Sequence, residues 1–109
     1  MVIFYDLETT GLNQFHDKIT EMCFHKYQSV DLFTKYSELV NPEVKISYFI
    51  TNLTGISNEM VSNKPNFSQQ SQNLLQFISN EHDINYLVAH NNDGFDKLVL
   101  KEHFKRAGF

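Results

Sequence analysis

The sequence predicts an α/β domain on a mixed sheet: a three-strand antiparallel meander, one added parallel strand, and flanking helices. Three observations predict it. The chain opens on an apolar run, Val2-Ile-Phe-Tyr5, that leads directly into Asp6-Leu-Glu8. Two more strand-like stretches follow across short polar connections, as in consecutive hairpins. A longer stretch with two helical patterns then precedes a fourth apolar segment, enough chain for a crossover to a parallel strand.

The opening run is apolar at successive positions, the mark of a central strand buried on both faces. Residues 19–25, Ile19-Thr-Glu-Met-Cys-Phe-His25, suit a second strand, and residues 30–40 a third, less buried one. Asn41-Pro42 ends the meander, because proline cannot donate to a ladder. Residues 43–54 carry no decisive pattern. Residues 55–61 read as a short helix with Ser57 as N-cap and Glu59 in its first turn. Ser68 opens a helix over 69–80, where Leu74, Leu75 and Ile78 share a face. Residues 84–89 read as the fourth strand, entering a His90-Asn-Asn-Asp-Gly94 turn. A last helix spans 95–107, with Gly108 at its C′ position. No internal repeat, low-complexity tract or linker interrupts residues 1–109, so they are expected to form a single domain.

A chain of 109 residues can bury roughly 60–70% of its unfolded surface, a real core with little margin. Its 41% hydrophobic content, with 10 phenylalanines, is globular in type. The net charge of −4 excludes a general basic footprint for nucleic acid. It does not exclude an enzyme that meets phosphate through cations. The single cysteine, Cys23, is expected to pack inertly in the core, in a reducing compartment. No apolar run approaches a membrane span and Met1 leads straight into the first strand. The expectation is an intracellular, soluble protein with no leader to cleave and no membrane partner.

Side chains alternate along a strand, so Asp6 and Glu8 project to one side. Two adjacent carboxylates are costly unless compensated, and a hard divalent cation with oxygen ligands is the natural compensation. A pair of solvated acids at a strand end would read the same way. The stretch Leu87-Val-Ala-His90-Asn91 followed by Phe95-Asp96 repeats the logic of strand, polar turn and carboxylate. Asp96 alone reads as a helix-start acid. If the fourth strand pairs with the first, Asp96 instead joins Asp6 and Glu8 in a magnesium site, with a phosphodiester as the natural substrate. Lys97, Lys101 and Lys105 recur every four residues, with Arg106 beside them. That stripe suits either the solvated face of the last helix or a track for a phosphate backbone.

Together these stretches resemble the first two motifs of the DEDD-type 3′–5′ exonucleases, the superfamily of the proofreading epsilon subunit and the small repair exonucleases. Asp6 and Glu8 match the D-x-E of the first motif, continued by Thr9-Thr10-Gly11-Leu12. Leu87-Val-Ala-His90-Asn91 with Phe95-Asp96 matches the second, in a longer-spaced form. Ile19-Thr-Glu21, Val40-Asn-Pro42 and Leu53-Thr-Gly-Ile-Ser-Asn-Glu-Met60 fall between them in the family's order, so the likeness spans essentially the whole chain.

The resemblance implies a ribonuclease-H-like sheet and two Mg²⁺ or Mn²⁺ ions held by Asp6, Glu8 and Asp96 as catalytic and metal-binding residues. It further implies that Thr9, Thr10, Gly11, Leu12, His90 and Asn91 bind substrate, with Leu12 packed on the terminal base. The implied activity is hydrolysis of DNA or RNA from a single-stranded 3′ end, releasing nucleoside monophosphates in proofreading or repair. The family's third motif, a general-base His or Tyr and a fourth Asp, would lie beyond Phe109. The chain is therefore expected to be the N-terminal portion of the family fold. His103 is seven residues from Asp96, about 10 Å by helical rise. His16, His25 and His82 carry no assigned role. Two classes of function stay open: an exonuclease completed by a polymerase or by a chain supplying the missing motif, or an inactive module that binds metal, nucleic acid or a protein.

Overall fold

The computed structural model describes residues 1–79, 85–89 and 93–109. Three strands, β1 (Val2–Thr9), β2 (Ile19–Ser29) and β3 (Leu32–Leu39), form the meander. Helices α1 (Tyr48–Thr54), α2 (Asn58–Val61) and α3 (Phe67–Ile78) follow, then β4 (Tyr86–Ala89) and α4 (Asp93–Arg106). The sheet order is β3-β2-β1-β4. β1 runs antiparallel to β2 and parallel to β4, with Val2 opposite Tyr86 and Tyr5 opposite Ala89. The mixed sheet expected from the sequence is therefore present.

β1 departs from expectation in two ways. It continues through Asp6 and Glu8 to Thr9, so both acids lie within the strand. It is also buried on one face only: Ile3, Tyr5, Leu7 and Thr9 face the core, while Phe4 is 41% exposed on the other side. The cause is the placing of the helices. Phe67 and Leu74 of α3 and Val99 and Leu100 of α4 pack with Ile3, Tyr5, Leu7, Met22 and Phe24 in one cluster. On the opposite face Phe4 meets Tyr27 edge to face, and Tyr27 stacks on Phe33. Cys23 shares that face, half-buried beside His25, which corrects the expectation of a core cysteine. Register explains it, since Cys23 is the partner of Asp6 and alternation places both side chains away from the core.

α1 occupies part of the stretch whose conformation the sequence left open. Ser47 caps its N-terminus by accepting from the Ile50 N–H, and Gly55 closes it at φ 79° with its N–H donated to the Thr51 carbonyl. A left-handed φ there suits a residue without Cβ. Gly55 thus ends α1 rather than beginning α2, whose N-cap is Ser57 as expected. The Asn58 side chain holds both the N–H and the carbonyl of Ile46. Below them Ile46, Ile56 and Val61 form a second, smaller core. Burying each of these contributes about 1.5–3 kcal/mol. α3 begins at Phe67, with Asn66 rather than Ser68 as its cap and a reciprocal bond from Gln69 to the Asn66 N–H. Asn66 is the cap because the helix starts at Phe67, which leaves Ser68 inside the first turn, and the Asn66 side chain accepts from the Gln69 N–H. α4 begins two residues before the expected start, and Gly108 follows it at φ 98°.

Candidate active site

The parallel pairing of β4 with β1 puts the start of α4 beside the carboxyl-terminal half of β1. β4 ends opposite Tyr5. Beyond that point the Leu7 N–H interacts with the Asp96 carboxylate and favours its charged form. Asp96, 4% exposed, is thus held by a backbone donor of the strand that carries Asp6 and Glu8. All three carboxylates line one cleft of about 250 Å³, with Leu7, Thr9, Gly11, Leu12, Phe49, Leu53, Thr54 and Phe95 among its other walls. The first-strand and last-helix acids expected to meet are brought to one cleft.

Burial and the neighbouring Asp6 charge raise Asp96 to about 6, against the opposing pull of the Leu7 N–H. Burial also raises Glu8, helped by the charges of Asp6, Glu21 and Asp96. Glu21 is the residue that sequence reasoning passed over. It is the register partner of Glu8 across the β1–β2 ladder, and like charges at such positions repel. The available signal is its place in Ile19-Thr-Glu21, a segment of the second strand that falls in the family's order but to which no site role is attached. Immediately before Glu21 the register shifts, Thr9 pairing with Ile19. Thr20 is the extra residue of this bulge, buried with its hydroxyl unpartnered among the described residues.

The donor set is entirely hard oxygen, which suits Mg²⁺ or Mn²⁺ rather than a soft metal. Among the described residues no three His, Cys, Asp or Glu side chains close around a single point as a ready-made cage.

The loop after β1 is tied to itself. The Thr10 hydroxyl donates to Asp17 and accepts from the Lys18 N–H, and the other Asp17 oxygen accepts from the Asn13 N–H. The Thr9 hydroxyl donates to the Gly11 carbonyl at 2.6 Å. Thr9, Gly11 and Leu12 line the cleft, whereas Thr10 does not. Leu12 is 82% exposed at its mouth. His90 and Asn91, the remaining expected substrate contacts, lie outside the described residues.

His103 has a different place. It is buried, its Nε2 accepts the Ile19 N–H, and its Nδ1–H donates to the Val99 carbonyl at 2.8 Å. Burial pushes it down to about 4, with the Arg106 and Lys18 charges adding to the effect. It is a neutral brace between α4 and the start of β2. Lys97, Lys101 and Lys105 are exposed, while Arg106 pairs with Glu102 and donates to the Phe15 carbonyl. No helix among the described residues is long and apolar enough to cross a membrane.

Comparison with known proteins follows the same lines. The chain is 35% identical over 106 residues to a DNA polymerase III of PolC type from Caldanaerobacter subterraneus, covering 97% of this chain and 7% of that protein. It is 34% identical over 105 residues to the 3′-5′ exonuclease DinG of Bacillus subtilis, covering 95% of this chain and 11% of that one. Among solved structures, exonuclease X in complex with 5′ overhanging duplex DNA superposes with a TM-score of 0.70 at 28% identity. That match covers 91% of this chain and 53% of the other. E. coli exonuclease I in complex with a dA16 oligonucleotide superposes at 0.82 and 18% identity, over 97% and 24% of the two chains, a likeness of fold. The expected ribonuclease-H-like architecture is thus found. The model of the RNase T exonuclease family matches residues 3–109, and the chain belongs to that family.

Proposed function

We propose that residues 1–109 form a single exonuclease-type unit, the N-terminal portion of the family fold. In this reading it contributes to metal-dependent 3′–5′ hydrolysis of DNA or RNA, releasing nucleoside monophosphates from a single-stranded 3′ end. The observation that carries the reading is the convergence of Asp6, Glu8 and Asp96 on one cleft of an exonuclease-family chain. Exonucleases of this family depend on divalent cations. Asp6, Glu8 and Asp96 are the proposed ligands of two Mg²⁺ or Mn²⁺ ions. Bound there, the ions supply Lewis acidity toward the phosphate oxygens and charge to offset that of the transition state.

The chain's own residues do the positioning. The Leu7 N–H favours the charged form of the Asp96 carboxylate, which lines the cleft. The Asp17-tied loop presents Leu12 at the mouth, where an apolar side chain can pack on a terminal base of any sequence. Thr9, Thr10, Gly11, His90 and Asn91 complete the proposed substrate-binding set. His103, with both ring nitrogens engaged, is not available as a general base.

That last observation favours a second reading, an inactive module that binds metal, nucleic acid or a protein. The PolC-type relative carries its matched segment within a polymerase. A polymerase, or a chain that contributes the third motif, is the proposed partner in kind.

The test is release of nucleoside monophosphates from a 3′-labelled single strand by folded, gel-filtered protein with Mn²⁺. Turnover that falls at least about a hundredfold in Asp6→Ala, and vanishes with EDTA, is the expected result. Absence of turnover from folded protein overturns catalysis by this chain alone. Retained oligonucleotide binding would then select the second reading.

A further inference from the structure

Glu21 is an acid held against another acid. It is half-buried in β2, with Glu8 directly across on β1 and Leu39 directly across on β3. Residues so paired hold their Cβ atoms about 4.5–5.5 Å apart, and like charges there destabilise the sheet. The Leu39 side chain packs against the smaller core and offers Glu21 no donor. Among the described residues the one ion pair is Arg106 with Glu102, towards the end of α4. Sliding β2 by a residue would relieve the repulsion, but the strand is pinned around the Thr20 bulge. The Ile19 N–H is donated to His103 Nε2, the Thr20 carbonyl accepts the Val40 N–H, and the Lys18 carbonyl accepts the Thr10 N–H. A bulge re-aims the side chains beside it, and this one sets Glu21 opposite Glu8. The fold thus holds a costly acid beside Glu8. Glu21 is not a wall of the cleft, so it stands outside the group of Asp6, Glu8 and Asp96.

We propose that Glu21 is a positioning residue for the metal ions of the cleft, its carboxylate accepting hydrogen bonds from water bound to the ion that Glu8 holds. This rests on Asp6, Glu8 and Asp96 being metal ligands and adds to them an outer acceptor on β2. Mg²⁺ held by one or two carboxylates keeps several waters, and their protons need acceptors. An ionised carboxylate one strand away from a ligand is such an acceptor, and outer partners of this kind orient the ligands and tune the affinity of the site. Without an ion, Glu21 and Glu8 repel. With one, both are drawn to the same positive charge.

The test needs no nucleic acid. Mn²⁺ binding is read from the electron paramagnetic resonance signal of the free ion, and stability from melts in EDTA and in Mn²⁺. Glu21→Gln keeps the shape of the side chain and removes its charge. The expected result is Mn²⁺ affinity weakened roughly 10- to 100-fold, with the number of waters on the bound ion, read from water-proton relaxation, unchanged. In EDTA the variant should melt at or above the parent, because the repulsion is gone, and in Mn²⁺ below it. A side chain with only a structural role would shift both melts alike. If Glu21→Gln binds Mn²⁺ as the parent does, or shifts both melts equally, the role of Glu21 is overturned and the cleft reading stands. A bound ion that gains a water in the variant makes Glu21 a direct ligand and overturns the outer role. If the folded parent binds no Mn²⁺, or Asp6→Ala binds it as tightly as the parent, both readings are overturned.

Discussion

Asp96 is held by opposed influences, and so is the loop that faces it. The Leu7 N–H draws its negative charge in, while burial and Asp6 push that charge away. Across the cleft, Gly11 sits where any side chain would collide: a Cβ there would stand 2.5 Å from an Asp17 oxygen. Asp17 is the post to which Thr10 and Asn13 are tied. Gly11→Ala should therefore loosen the loop and cost about 1–3 kcal/mol, seen as a lowered melting midpoint by circular dichroism. In an Asp17→Ala background the same substitution should cost much less, because the colliding carboxylate is gone. Equal costs in both backgrounds would refute the collision. At this scale the acids of β1 and α4 were legible, since a strand places alternate residues together and the D-x-E spacing is short. Glu21 was not, because its nearness to Glu8 depends on cross-strand register. His103 was not, because its partner Ile19 is 84 residues away.

Among the elements, α3 shows how a polar end carries an apolar face into place. The Asn66 side chain accepts from the Gln69 N–H at 2.8 Å, and the Asn66 N–H donates in turn to Gln69 Oε1. The same helix sends Gln70 to the carbonyls of Leu39 and Pro65, docking it against the end of β3. Asn66→Ala should cost about 1 kcal/mol, or roughly 4–8 °C in melting midpoint, and Asn66→Asp should keep most of that stability. A melt of Asn66→Ala coincident with the parent's would mean the cap contributes nothing. α3 was readable because its buried positions recur with helical period. α1 was unreadable for the converse reason: Ile50 packs on the smaller core but Tyr48, Phe49 and Leu53 are exposed, so no core-facing apolar stripe marks it. It is held by Ser47, Gly55 and the Ile46–Asn58 pair, and such local bonds leave little periodic trace. Gly55 could be seen as a breaker, but which helix it closed could not.

For the whole molecule, the two perturbed buried groups pull stability in opposite directions with pH. Asp96 has its folded value raised from 3.8 to about 6, so the folded state holds the proton more tightly. Its contribution is present below 3.8 and is lost as pH rises through about 6. Glu8 is shifted in the same direction. His103 is lowered from 6.5 to about 4, so its contribution is present above 6.5 and is lost as pH falls through about 4. The two slopes oppose each other over the same window. In EDTA the parent protein should therefore show a shallow melting profile between pH 4 and 6.5. Asp96→Asn should leave a midpoint that climbs with pH, and His103→Gln one that falls. Slopes of the same sign in both variants would refute the assignment. A divalent cation reverses the Asp96 effect by favouring the ionised carboxylate, so ion binding should release a proton near pH 6.

The parallel pairing of β1 with β4 also sets an order in time. β1, β2 and β3 are joined by local hairpin contacts that close quickly, but Val2 meets Tyr86 only after most of the chain has been gathered in. Until that closure Asp96 is far from Asp6 and Glu8, and no ion can find all three. The cleft is then among the last features to appear during folding and among the first to come apart. An ion bound across it arrives too late to hasten folding and acts on the reverse step, lengthening the lifetime of the folded chain.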